Sequence, residues 1–450
     1  MIQLTLGQAA KILGTNTDAE NINFQGISID TRTLQPGNLF IAIHGDRTDG
    51  HEYLNQALEK GAVAAIVSKP VDSPLPKLTV KETTTALGQL GEYWRDQFDI
   101  NITAVTGSNG KTTLKNMIAL IMLAACHGDE KQVLATEGTL NNHWGLPLTL
   151  ARLSKQHQYA VIEMGMNHFG EIEYLIKMTK PNVAVITNAG ASHLEGLGDV
   201  AGVARAKGEI FSGLQQHGTA ILNRDDAFFP FWHGLIGNHK FITFGFHPDA
   251  NVNATIQHTA QTQQITLHTP KGEIDVKLPL LGKHNVLNAL AATASAIAAG
   301  ISLDAIKTGL EQIKPAPHRL QLYTLNNGVS VIDDTYNANP LSLQAAINIL
   351  AAFEGKKILV LGDMKELGGE AKVLHHVAGE AIRKAGIDYL FTYGDLSENT
   401  ALAFGEGAYH FSEQNKLVDA LKPLLYNTTT ILVKGSRSMR MEKVINELIT

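Results

Sequence analysis

A short apolar strand at residues 102–105 runs straight into Thr106-Gly107-Ser108-Asn109-Gly110-Lys111-Thr112-Thr113 and then into a helical stretch. That order narrows the fold to an α/β domain with a parallel sheet. A glycine loop between a strand's carboxyl end and a helix's amino end lets backbone N–H groups close on phosphate, with the helix dipole adding positive potential. Leu114, Met117, Ile118 and Ile121 recur at helical spacing, so the helix that the loop needs is present. Gly107, Ser108, Asn109, Gly110 and Thr113 form the candidate cradle, Lys111 reaches the outer phosphates, and the Thr112 hydroxyl is placed to ligate Mg²⁺. The spacing departs from G-x-x-x-x-G-K-[ST]: Val105 stands where its first glycine would be, and Gly107 comes two residues later. The competing reading is a strand-to-helix turn with an incidental lysine.

With 450 residues the chain exceeds one core, and roughly 150 residues per domain predicts about three. Hydrophobic residues make up 44% and charged residues 18%, an ordinary balance for packed domains. The net charge of -6, without a long basic run, gives phosphate neutralisation no source and argues against a nucleic-acid partner. Cys126, the single cysteine, excludes an internal disulfide and reads as a buried thiol after the apolar run 120–125. The first residues carry no secretory pattern, and the longest apolar stretch, residues 117–126, is far below the ~20 residues that span a bilayer. A cytoplasmic chain without membrane insertion is expected.

Along the chain, residues 1–83 form the first expected domain, small and α/β. Strands fall at 26–29, 39–43 and 64–67, a helix at 52–60, and a proline-rich exit at 69–76. Residues 84–314 form the second, where strands at 102–105, 160–164, 183–186 and 220–222 alternate with helices, as in parallel βαβ units. A strand at 241–244 and a hairpin at 264–269 and 274–278, turning at Pro270-Lys271-Gly272, follow, then an alanine-rich helix over 285–299. Pro315 and Pro317 mark a linker. Residues 315–450 carry strands at 329–332, 358–361, 389–392 and 431–433, a Rossmann-like, doubly wound third domain.

The loop Thr106 to Thr113 resembles that of the Mur ligase family, T-G-[ST]-N-G-K-[ST]-T. The resemblance extends to Gly138-Thr139-Leu140-Asn141-Asn142, Glu163-Met164-Gly165, Asn188-Ala189-Gly190-Ala191-Ser192-His193-Leu194-Glu195, Ala206-Lys207-Gly208-Glu209 and Gly282-Lys283-His284-Asn285. Within the family, Met166-Asn167-His168 after the glutamate, Asp334 to Pro340, Gly362 to Gly368 and Lys434-Gly435-Ser436-Arg437 resemble the branch that adds D-alanyl-D-alanine. Asn142-His143-Trp144-Gly145 and Pro317-His318-Arg319 differ from the N-E-x-G and P-G-R forms of that branch. The resemblance implies ATP-dependent joining of D-alanyl-D-alanine to UDP-N-acetylmuramoyl-tripeptide through an acyl phosphate, in peptidoglycan precursor synthesis, by a monomer. It makes the first domain a UDP-substrate domain and the second a P-loop ATPase.

Residue roles follow from the same likeness. Glu163, at a strand's end, and His193 bind two Mg²⁺ ions with Thr112, and Lys207, carbamylated, joins them; Lys111 and Arg319 address the γ-phosphate. His284, Asn288 and Asp334 contact the nucleotide. Ser28, Thr31 and Arg32 face the UDP moiety, Asn141 and Asn142 the muramoyl peptide, and Asn337, Asn339, Lys434 and Ser436 the dipeptide. Chemistry alone leaves alternatives. The alternative for Glu163 is a solvated strand-end acid, for His193 a polar loop residue, for Arg319 a hinge ion-pair partner and for Thr31 part of a turn. Histidine is an unusual magnesium ligand, and Lys207 on an expected helix over 200–211 reads first as a surface lysine. Other amino-acid ligation, such as folate polyglutamylation, and a silent nucleotide-binding scaffold are the competing functions.

Overall fold

The computed structural model describes residues 1–45, 48–258 and 263–449. At the amino end β1 (Gln3–Thr5) and β2 (Asn23–Gln25) pair antiparallel. Beside them β3 (Ile27–Ser28), β4 (Leu39–Ile41), β5 (Ala64–Val67) and β6 (Lys77–Thr79) form a parallel sheet in that order. The sequence reading lacks the helix Leu6–Leu13, whose start Thr5 and Gln8 cap reciprocally at 3.1 and 2.8 Å. The helix expected over 52–60 is split: Asp49 caps a 3₁₀ turn, Gly50–Tyr53, before the α-helix Leu54–Glu59.

The next sheet has the order β12-β11-β10-β7-β9-β8, with β7 (Asn101–Thr106), β8 (Val133–Ala135), β9 (Tyr159–Glu163), β10 (Val183–Ile186), β11 (Thr219–Asn223) and β12 (Lys240–Phe244). Every pairing in it is parallel. Its strands are apolar on both faces because both are covered. Ile102, Ala104 and Ile162 pack against Ile172 and Val203 on one side, while Val105, Val161 and Val185 pack against Leu114, Met117 and Val286 on the other. A three-stranded antiparallel sheet of β13 (Asn253–His258), β14 (Gln263–Thr269) and β15 (Gly272–Leu278) contains the expected hairpin as its β14–β15 pair. The alanine-rich helix runs Lys283–Ala298 and is buried along most of its length, and Cys126 is buried as expected.

Beyond the Pro315 linker, β16 (Gln321–Thr324), β17 (Ser330–Asp334), β18 (Lys356–Gly362), β19 (Tyr389–Tyr393), β20 (Ala408–Phe411) and β21 (Thr429–Lys434) make a sheet of order β16-β17-β21-β18-β19-β20. Only β16 runs antiparallel, at one edge. Apolar clusters cover both faces, giving the doubly wound layering. Among the described residues no helix is long and apolar enough to cross a membrane.

The first sheet is stitched to the second through the helix Thr83–Arg95, whose Ala86, Leu87 and Leu90 share a core with Ile41 and Ala151. Trp94 Nε1 donates to Leu153 O at 3.0 Å and the Met1 ammonium to the same carbonyl at 2.7 Å. Behind the phosphate loop, the helix Lys111–Ala125 is crossed by Leu303–Glu311 at Gly309, where an added Cβ would lie 2.5 Å from the backbone of Ile121. Gly309→Ala should therefore force the helices apart and destabilise the protein by about 1–3 kcal/mol. A lowered urea midpoint is the expected readout; an unchanged one would mean that the crossing yields freely.

Candidate active site

At the carboxyl edge of the second sheet the chain turns out of β7 into the phosphate loop. Thr106 Oγ1 donates to Met164 O at 2.9 Å, joining the ends of β7 and β9. Gly107 (φ 150°) and Gly110 (φ 83°) take the left-handed backbone region that glycine alone enters freely. A Cβ on Gly107 would collide with Thr187 Oγ1, and one on Gly110 with Asn288 Oδ1, so neighbours as well as φ demand glycine. The loop is pinned by Asn188, whose carbonyl accepts from Ser108 N and whose Oδ1 accepts from Asn109 N, each at 3.0 Å. Lys111 opens the helix and donates to Gly107 O at 2.7 Å. Burial lowers its pKa, Glu163 opposes that shift and Arg319 adds to it.

Facing the loop, Glu163 closes β9 and is 1% exposed, which removes the solvated strand-end reading. Its Oε1 accepts from Asn141 Nδ2 at 2.9 Å and from Thr112 Oγ1 at 3.3 Å, while Oε2 is buried without a hydrogen-bond partner among the described residues. A buried lone carboxylate oxygen is costly unless a cation or donor meets it. His193 stands in left-handed backbone, φ 55°, with Nδ1 2.8 Å from Glu366 Oε2 but off the line of a hydrogen bond. Lys207 is a correction to the surface-lysine reading. It is 2% exposed on Val200–Gly208, a helix that gives way to a 3₁₀ turn at Glu209 rather than reaching residue 211. No hydrogen bond or ion pair holds its ammonium among the described residues, and burial, with Lys111 nearby, depresses its pKa far below the usual lysine range.

The third sheet closes the cavity, which encloses about 1050 Å³. Arg319 stacks 3.9 Å over the Tyr336 ring and points Nη2 at Thr112 Oγ1, 3.4 Å away. Asn109 and Asn339 exchange amide hydrogen bonds of 3.3 and 2.9 Å across the two sheets, and Asn339 also caps the helix Pro340–Ala351. Thr113, Asn142, Asn288 and Asn337 line the same cavity. Asn142 spends its Oδ1 on the amides of Trp144 and Gly145.

Ser28, Thr31, Arg32 and Ser436 do not line that cavity. Ser28 bonds to the backbone of Asp30, Thr31 donates to Gln56 Oε1 at 2.8 Å, and the exposed Arg32 pairs with Asp30 at 2.6 Å. Ser436 Oγ donates to Ala338 O at 3.3 Å and accepts from Lys365 N at 2.8 Å. Sequence reasoning assigned nothing to Tyr336 or Lys115, although Tyr336 lies inside a quoted motif. Lys115, one helical turn after Lys111, donates to Thr136 O at 2.8 Å, and Thr136 Oγ1 accepts from Glu163 N at 3.0 Å.

Three family descriptions match in chain order: "Mur ligase family, catalytic domain" over residues 23–92, "Mur ligase middle domain" over 105–296 and "Mur ligase, glutamate ligase domain" over 318–437. The chain is 44% identical to the UDP-N-acetylmuramoyl-tripeptide--D-alanyl-D-alanine ligase of Escherichia coli, with 100% of this chain and 99% of that protein covered. The chain belongs to the Mur ligase family. Its fold matches crystal structure I of MurF from Acinetobacter baumannii with a TM-score of 0.93 at 36% identity, covering 100% and 99% of the two chains. MurF ligase from Thermotoga maritima in complex with ADP matches at 0.83 and 26% identity, over 94% and 96%.

In this Mur ligase the third-sheet side of the cavity is electrostatically coupled. Lys434 Nζ lies 2.5 Å from Asp334 Oδ2 and donates to Asn337 O at 2.9 Å, so the expected nucleotide and dipeptide residues form one buried ion pair. Burial pushes the Asp334 carboxyl up, against the pull of Lys434. His284 faces the cavity yet is crowded by protein, and burial, then Lys434, lowers it from 6.5 to about 4. Between those two values the unfolded chain binds the proton and the folded one does not, so His284 costs stability as pH falls from about 6.5 to about 4. His284→Asn should flatten that part of the stability–pH profile. Parallel profiles for parent and variant, measured by urea unfolding, would refute it.

Proposed function

We propose that this ATP-dependent Mur ligase joins D-alanyl-D-alanine to UDP-N-acetylmuramoyl-tripeptide in peptidoglycan precursor synthesis. The observation that carries the reading is the meeting, in one cavity, of the phosphate-loop Lys111 and Thr112, the buried Glu163 and Arg319 from beyond the linker. Full-length likeness to ligases of that substrate supports it. A terminal carboxylate oxygen of the tripeptide attacks the ATP γ-phosphorus, and the bond to the β–γ bridging oxygen breaks, releasing ADP. The dipeptide's neutral amine then attacks the acyl carbon, phosphate leaves with the bonding pair, and the amine proton passes to solvent or phosphate. Lys111 and Arg319 offset charge on the transferring group, and Asn109 with Asn339 aligns the sheets that hold the two substrates.

Two magnesium ions would be held by Thr112, Glu163 and His193. Glu163 Oε2 lacks a partner among the described residues, Thr112 Oγ1 adjoins the same carboxylate, and His193 also lines the cavity. When bound, Mg²⁺ supplies charge neutralisation for the phosphates. Among the described residues no group of three or more His, Cys, Asp and Glu side chains is set to bind metal, so an anionic oxygen donor from Lys207 would complete the set. Burial lowers the Lys207 pKa, which favours the neutral amine that attacks CO₂; nitrogen bonds to carbon, a proton leaves, and a carbamate results. On this reading residues 1–83, with Ser28, Thr31 and Arg32, receive the UDP moiety, 84–314 ATP, and 315–450 the dipeptide near Asn337, Lys434 and Ser436. His284, Asn288 and Asp334 hold the nucleotide. A monomer and a cytoplasmic setting belong to the same reading, and the need for ATP supports the second.

Phosphate release from ATP with UDP-N-acetylmuramoyl-tripeptide should require D-alanyl-D-alanine over D-alanine or L-alanine, with the product confirmed by mass. Turnover on a different acid and amine instead would keep the ligase chemistry and overturn the substrate. Lys111→Ala should abolish ligation. Lys207→Ala should also fail but regain partial activity with short carboxylates; full activity without them would remove the carbamate.

A further inference from the structure

His318, next to Arg319, occupies a backbone region that histidine seldom enters. Its φ is 62°, and Leu320 on the far side of Arg319 has φ 52°, so the arginine sits between two left-handed residues. Such positions are unfavourable for side chains with a Cβ and persist where surrounding contacts hold them. The contacts at His318 are specific. The ring Nδ1 lies 2.8 Å from Oδ2 of Asp333 in hydrogen-bond geometry, and Asp333 is 1% exposed at the end of β17. The other oxygen of Asp333 is fixed by Thr335, through N at 3.1 Å and Oγ1 at 2.6 Å. The carbonyl of His318 accepts from Tyr336 N at 3.0 Å, and the Tyr336 ring is the surface on which Arg319 stacks.

These contacts form one continuous chain from the third sheet to the phosphate loop: Asp333 to the His318 ring, the His318 carbonyl to Tyr336, and Arg319 over Tyr336 to Thr112 Oγ1. An arginine side chain immediately after a two-proline linker has many rotamers and a pivoting backbone, and a transferring phosphoryl group rewards only one placement. We propose that His318 is a positioning residue: its ring, anchored on Asp333, locks the end of the linker so that Arg319 is held over the phosphate loop. The histidine is not among the residues lining the cavity, and acts through the arginine alone. The inference rests on the γ-phosphate role given above to Arg319.

Glycine separates the ring's role from the backbone's. His318→Gly accepts φ 62° without strain, so a residue serving only the turn would leave the protein as stable and as active as before. The expected result is kinetic: the KM for ATP stays within about twofold and kcat falls about tenfold or more, while the thermal midpoint falls because the buried Asp333 oxygen loses its partner. His318→Asn, which tolerates left-handed backbone and offers an amide donor toward Asp333, should recover part of the loss. In an Arg319→Lys background, His318→Gly should have less than about a twofold further effect, because the group it positions has been replaced. An unchanged kcat in His318→Gly, or an equal fold-loss in both backgrounds, overturns the proposal. Full turnover in Arg319→Lys and Arg319→Ala would instead remove the role of Arg319 itself.

Discussion

Everything in the cavity depends on Glu163, a carboxylate carried to the buried end of β9 and left with one oxygen unpartnered among the described residues. Low-dielectric surroundings make such a charge costly, and the protein answers with geometry more than with salt bridges. Asn141 and Thr112 donate to one oxygen, Thr136 holds the backbone amide, and Lys115 backs Thr136 from the helix below. Lys111 and Arg319 line the same cavity, Lys207 lies close enough to Lys111 to feel its charge, and burial lowers the pKa of both lysines.

The fold was largely readable because its strands are short, buried on both faces and separated by amphipathic helices. Val183–Ile186 and Ala64–Val67 emerge with the bounds that their apolar runs suggested. Failures came where a pattern was weak or local rules competed. Leu6–Leu13 is only eight residues long and depends on a cap, β6 is three residues in a proline-rich stretch, and the Asp49 cap diverts the expected helix start into a 3₁₀ turn.

The site was legible to the extent that single segments carried it. Gly107 to Thr113 could be read as a phosphate cradle because strand, glycines and helix are contiguous. Burial was not legible: nothing along residues 200–208 announces that Lys207 is buried, since that follows from packing against other elements. Nor could spacing disclose that Asp334 and Lys434, exactly one hundred positions apart, close on one another, or that Asn142 is occupied by its own turn. Contacts between sheets are set by the third dimension, which no periodicity encodes.

The amide exchange between Asn109 and Asn339 is made of neutral groups. Each such bond replaces one to water at a net gain of only about 0.5–1.5 kcal/mol, and neither partner titrates or is screened by salt. The seam therefore works as a registration mark and not as glue: it defines one alignment of the sheets, yet water can replace it at little cost. An enzyme that must admit three substrates and discharge three products in every cycle needs a joint that is definite when shut and inexpensive to open, at any ionic strength the cell presents.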